Sequence, residues 1–194
     1  MDHGRPFSRG AVGPAPPYEP RYVVLGTPNT SGPMQPRYGV ILHGSRSGVA
    51  AFSKARGDGS EGQRTLRYVT TPGTTSYNWL LDYDGTVYEL AGWDLQAWHA
   101  GSQTKALHMN SNWYGVAFAQ VDTWERLTDE QYAAGEWLLA RINARYGDQI
   151  PLRFLPTVSS RYAAHGITEH RLTAQGKSGG KSDVGDHLDL GRLL

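Results

Sequence analysis

Three side chains in this 194-residue sequence have the types and the placing that a hydrolytic metal site needs: His43, His170 and Asp183. His43 closes the apolar run Tyr38-Gly39-Val40-Ile41-Leu42-His43. His170 closes Ile167-Thr168-Glu169-His170, and Asp183 follows in the next stretch of chain. Two imidazoles and one carboxylate, with a fourth position open to water, are a donor set of catalytic zinc. The same set also suits other divalent transition ions. Spacing alone does not single these residues out from the seven histidines of the chain. His165 stands at an odd separation from His170, which on an extended strand puts the two on opposite faces and argues against joint ligation. His3, His108 and His187 fall in polar or loop-like surroundings and read as surface side chains.

Such residues converge only if rigid elements carry them. The run ending at His43 has the length and the flanking turn signals of a buried central strand. It delivers His43 to the sheet edge, where sites in open α/β sheets form. Tyr22 to Leu25 predicts a short strand. Ser76 to Leu81 and Thr86 to Leu90 predict two strands joined by the hairpin signal Asp82-Tyr83-Asp84-Gly85, and Val116 to Val121 a further strand. Val49 to Arg56 reads as a helix broken by Gly57-Asp58-Gly59. Ser60-x-x-Gln63 has the pattern of a capping box before a second helical piece carrying Leu66 and Val69. Thr128-x-x-Gln131 repeats that pattern and opens the longest helix, 128–146, with Ala134, Leu138 and Ile142 on one face and Gly147 as its stop. Strands interspersed with helices predict an α/β fold, a mixed central β-sheet flanked by helices. Residues 1–20, rich in Pro and Gly, read as a flexible N-terminal arm, and 21–194 as one catalytic domain.

Composition narrows the function classes. Nineteen Lys and Arg stand against 18 Asp and Glu, a net charge of +1, so no basic excess marks a nucleic-acid binder. The absence of cysteine excludes a disulfide framework and a thiolate nucleophile or metal ligand. No apolar run approaches the roughly 18 residues of a membrane span. The start Met1-Asp2-His3-Gly4-Arg5-Pro6 lacks an apolar core, so no secretory signal is expected and the protein is expected to be made in the cytoplasm. Trp93, Trp113, Trp124 and Trp137 read as core or surface anchors rather than ligand contacts.

Six segments occur in order: Val40-Ile41-Leu42-His43-Gly44-Ser45, Ser76-Tyr77-Asn78-Trp79-Leu80-Leu81, Asp84-Gly85-Thr86-Val87-Tyr88-Glu89, Ala97-Trp98-His99-Ala100-Gly101, Gly166-Ile167-Thr168-Glu169-His170 and Lys181-Ser182-Asp183-Val184-Gly185. Together, over residues 38–186, they resemble the zinc amidase superfamily that includes peptidoglycan recognition proteins and phage lysins of the amidase type. The resemblance implies a peptidoglycan-amidase or recognition-protein-like fold. It implies an N-acetylmuramoyl-L-alanine amidase that hydrolyses the lactyl amide between N-acetylmuramic acid and L-alanine, with peptidoglycan as its partner. It makes His43 and His170 the imidazole ligands of Zn2+. The third ligand in this superfamily is Cys or Asp, and without cysteine Asp183 takes that place, which puts the chain nearest the Asp-ligand branch. Lys181 matches the lysine two residues before that ligand, suited to stabilising an oxyanion. On an extended segment Lys181 and Asp183 are expected to point the same way. Tyr77 matches the tyrosine that borders the metal.

For substrate, the resemblance brings Trp98 and His99 into the groove. Arg46, in the loop after His43, is a candidate for a stem-peptide carboxylate. Asn78 is a further candidate contact, although alternation with Tyr77 turns it to the other face. The chain departs from the Asp-ligand branch at Ala117, where a glutamate general base often stands. Either Tyr77 and Lys181 suffice, or the copy is weakened, a loss that usually costs about 10²–10⁴ in rate. Three settings follow: an endolysin-type enzyme acting on the wall after release, a cytoplasmic amidase recycling soluble muropeptides, or a non-catalytic peptidoglycan-binding module.

Overall fold

The computed structural model describes residues 18–35, 37–46, 61–101, 109–159 and 164–194. The arm through residue 17, the helix expected over 49–56 with its glycine break, Ser60 and His108 lie outside them. The elements follow as β1 (Tyr22–Val24), β2 (Thr30–Pro33), β3 (Gly39–Gly44), α1 (Glu61–Val69), β4 (Trp79–Leu81), β5 (Val87–Glu89), β6 (Leu95–Ala97), β7 (Trp113–Phe118), α2 (Asp129–Tyr146), β8 (Gly166–Glu169) and α3 (Ala174–Ser178).

A strand apolar on both faces needs cover on both faces. Strand β3 is buried along its whole length and lies inside a six-stranded sheet of order β1-β5-β4-β7-β3-β8. Only the β4–β5 pair is antiparallel, and β4, β7, β3 and β8 run parallel to one another. The β4–β5 turn closes through the Gly85 N–H donating to the Asp82 carbonyl at 3.0 Å. Gly85 sits there at φ 78, a left-handed conformation open to glycine.

Alternation along the strands sorts the two faces. Val40, Leu42, Val116 and Phe118 pack under Leu138 and Ile142 of α2. Leu80 and Ala117 point the other way and meet Leu66 and Val69 of α1. Helices therefore cover both faces of a mixed sheet. Helix α2 starts where the sequence places it: Thr128 and Gln131 form the reciprocal capping box, and Gly147 ends the helix. No helix among the described residues is long and apolar enough to cross a membrane.

One strand needs correction and one sheet was not expected. The strand read from Val116 to Val121 runs instead over Trp113–Phe118, because Trp113 and Tyr114 are buried against the sheet's own layers and the chain leaves the ladder after Phe118. A second sheet, β2 paired antiparallel with β6, has no counterpart in the sequence reading. Its segments Thr-Ser-Gly-Pro and Leu-Gln-Ala are too short and too polar to show a period of two.

Candidate metal centre

Strands β3, β7 and β8 run parallel, so their carboxyl ends share one edge. His43 is the penultimate residue of β3 and pairs in register with Ala117, so its side chain rises on the α1 face. His170 directly follows β8 and opens a 3-10 turn over His170–Leu172. Asp183 arrives from the loop after α3. The expected extended geometry fails here: Asp183 has φ 40, a left-handed conformation that costs a non-glycine residue about 1–3 kcal/mol. Lys181 and Asp183 nevertheless line the same cleft.

One donor atom from each of His43, His170 and Asp183 lies within 4.8 Å of the others, and all three residues are buried. His43 Nδ1 is 3.2 Å from Asp183 Oδ1, and His170 Nδ1 is 3.5 Å from Oδ2. Asp183 Oδ2 is buried with no hydrogen-bond partner. A buried carboxylate oxygen left so is costly, and a divalent cation at the centre of the three donors removes that cost. Burial pushes the His43 imidazole down to about 4, against the opposing pull of Asp183. It is neutral at neutral pH, which is the form that ligates a metal. The residues present therefore fit zinc.

These donors open onto a cleft of about 330 Å³. The Tyr77 ring lies 5.2 Å from that of His43. Burial, reinforced by Asp183, raises its phenol above the ordinary value, so it presents a protonated hydroxyl. Lys181 stands exposed at the rim. No salt bridge to its ammonium occurs among the described residues. Arg46 also lines the cleft, its Nε donating to Asp122 Oδ1 at 3.0 Å.

The remaining expected contacts separate. His99 lines the cleft but is 6 % exposed. Its Nδ1 is 3.0 Å from His43 Nε2 and its Nε2 is 2.9 Å from the Trp113 carbonyl. The ring rests on Gly115, where a Cβ would stand 2.5 Å from the His99 Cγ. Gly115→Ala is therefore expected to displace His99 and to lower stability by about 1–3 kcal/mol, read from denaturant unfolding. An unchanged midpoint would contradict the seat described. Trp98 lies outside the cleft lining, its indole N–H donating to Ser31 Oγ at 2.7 Å. Asn78 is a correction. It has no exposure, its amide N–H groups donate to the carbonyls of Gly92 and Leu95, and its Oδ1 accepts from Gly115 N–H. Its side chain ties the segment before β4 to its neighbours and leaves no exposed surface for substrate. Gln175, beside His170, was not anticipated, since a lone glutamine in a polar stretch carries no pattern. His165 stacks on Tyr38 with ring centroids 4.7 Å apart, and His187 is exposed, as expected of residues outside the site.

A protein-family profile described as N-acetylmuramoyl-L-alanine amidase matches residues 32–186. Comparison with curated proteins finds no match. Among solved structures, that of a selenomethionine AmpD derivative is similar at TM-score 0.66 and 16 % identity, covering 91 % of this chain and 94 % of that one. A mutant endolysin from Bacillus subtilis is similar at TM-score 0.56 and 20 % identity, covering 82 % and 89 %. The peptidoglycan recognition protein PGRP-SA of bumblebee is similar at TM-score 0.52 and 17 % identity, covering 87 % and 91 %. At these identities the structures speak for the fold.

Proposed function

The chain belongs to the N-acetylmuramoyl-L-alanine amidase family, and from that premise we propose that it is a zinc enzyme whose ion is held by His43, His170 and Asp183. The observation that carries the reading is the buried Asp183 carboxylate, one oxygen toward each of two buried imidazoles and Oδ2 without a hydrogen bond. Bound there, zinc supplies Lewis acidity toward water and toward the scissile carbonyl.

The chain's own residues do the rest. The substrate is the lactyl amide between N-acetylmuramic acid and L-alanine in peptidoglycan. The Lys181 ammonium, exposed at the rim, offsets negative charge as it develops on the carbonyl oxygen. The Tyr77 hydroxyl, kept protonated by burial, donates a hydrogen bond to the same oxygen or to the attacking water. Arg46 presents its remaining guanidinium edge to a stem-peptide carboxylate. Trp98, 36 % exposed and joined through its carbonyl to the cleft-lining Thr75, offers a flat surface to the glycan.

Ala117 bears on the choice between a complete and a weakened enzyme. It is fully buried in the apolar cluster of Leu66, Val69, Tyr77, Leu80 and Leu90, and it does not line the cleft. The site is packed around a methyl group, which favours Tyr77 and Lys181 as sufficient. Ala117→Glu is expected to give no gain in turnover and to destabilise by about 3 kcal/mol or more, since it overpacks the cluster and buries a charge. A rise in turnover would show that the position still accepts a general base.

The test of the function is amine release from purified peptidoglycan. New L-alanine amino termini should appear with zinc and cease with a chelator. New reducing sugar ends without amines would overturn the amidase reading, and stoichiometric zinc with neither product would favour the binding module. We place the substrate in the polymeric wall, in the manner of an endolysin. Intact sacculi and soluble anhydro-muropeptide are the two arms, and activity on the soluble fragment alone would move the enzyme to recycling.

A further inference from the structure

We propose that His99 and Gln175 are positioning residues that hold both metal-ligating imidazoles in the Nε2–H tautomer, and that the segment Ala97–Gly101 is the bracket that seats them. The inference rests on the metal reading above and concerns what stands behind the ligands.

The direction of the chain of hydrogen bonds is set at its far end. A backbone carbonyl only accepts. The Trp113 carbonyl lies 2.9 Å from His99 Nε2, so Nε2 carries the His99 proton and Nδ1 keeps its lone pair. That lone pair faces His43 Nε2 at 3.0 Å, so His43 donates from Nε2. The His43 Nδ1 lone pair is then left pointing at Asp183 Oδ1, 3.2 Å away. His170 reaches the same state by a separate route. Its Nε2 bonds Gln175 Oε1, an amide oxygen that only accepts, which leaves His170 Nδ1 to face Asp183 Oδ2 at 3.5 Å. Three lone-pair donors thus converge with no proton between them. That arrangement is repulsive when empty and complementary to a cation. A metal-bound imidazole generally donates its other N–H to such an outer partner.

One segment serves both supports. Asn110 Oδ1 accepts from the backbone N–H groups of His99 and Ala100 at 3.2 and 2.8 Å, which pins the bracket. Gly115 leaves the space in which the His99 ring lies. Gly101, at φ 67, approaches Gln175 so closely that a Cβ would stand 2.5 Å from its Nε2. The histidine of this segment, expected to touch substrate, lines the cleft and also bonds the His43 imidazole.

The experiment measures zinc affinity by competition with a chromogenic chelator. Gln175→Leu and His99→Leu are expected to weaken binding about 10–100-fold. Gln175→Glu and His99→Asn, which return an acceptor oxygen to each site, should recover most of that loss, whereas a purely packing role would not be rescued so. Leucine variants that fold and hold zinc as tightly as the wild type overturn the proposal. Should they fail to fold, long-range 1H–15N spectra of the metal-free wild type near neutral pH decide it. Nε2–H at both His43 and His170 is expected, and Nδ1–H at either overturns it. A wild type with both expected tautomers that takes up no zinc supports the positioning and sinks only the metal reading.

Discussion

Asp183→Asn should cost the protein its zinc and its amidase turnover together. The amide keeps the shape of the carboxylate and tolerates the left-handed backbone at φ 40 better than most residues. It removes the one negative charge among the three candidate ligands. The loss of zinc affinity should exceed the roughly 100-fold upper range typical of losing an outer partner. The same substitution should stabilise the metal-free protein. In the wild type, Asp183 Oδ2 is buried without a partner, whereas an asparagine N–H₂ can donate to an imidazole Nδ1. A buried polar group that gains its missing bond recovers on the order of 1 kcal/mol. The metal-free variant is expected to melt above the metal-free wild type, while zinc raises the melting point of the wild type only. A variant that retains zinc at wild-type affinity, or that melts lower when metal-free, contradicts this account of the site.

Lys181→Ala should leave zinc in place and lower kcat by about 10²–10³, the usual cost of removing one donor from a developing oxyanion. KM should change little, because the ammonium is asked to act more strongly in the transition state than in the ground state. Lys181→Arg should rescue only in part, since a planar, delocalised fork does not present its charge at the same point as a compact ammonium. Lys181 is exposed and lies outside the buried ligand set, so a loss of zinc in this variant, or an unchanged kcat, would remove it from the reaction.

The parts of the fold visible in the sequence were those whose local chemistry agrees with their tertiary place. The strand ending at His43 is apolar because it is covered on both faces, and helix α2 announces itself by a cap that the structure reproduces atom for atom. The β2–β6 pair was illegible because its segments are short, polar and largely exposed, so no alternation marks them. Of the site, the strand ends placed His43 and His170, but spacing alone did not single them out; the candidate ligand set with Asp183 came from the family resemblance of the six ordered segments. Asn78 borders the cleft in sequence, yet burial and hydrogen bonding turn it inward, whereas His99 lines the cleft and is hydrogen-bonded behind it. Alternation already hinted at this for Asn78. The seat of the His99 ring depends on the missing side chain at Gly115, a contact between separate segments that the sequence does not display. Gln175 is recognisable only through the atom it touches.

Metal analysis of the purified protein after dialysis against limiting zinc, with His43→Ala in parallel, addresses the central claim most directly. The site predicts one zinc per wild-type chain and none above background in the variant. Equal zinc in both, or none in the wild type, would contradict it.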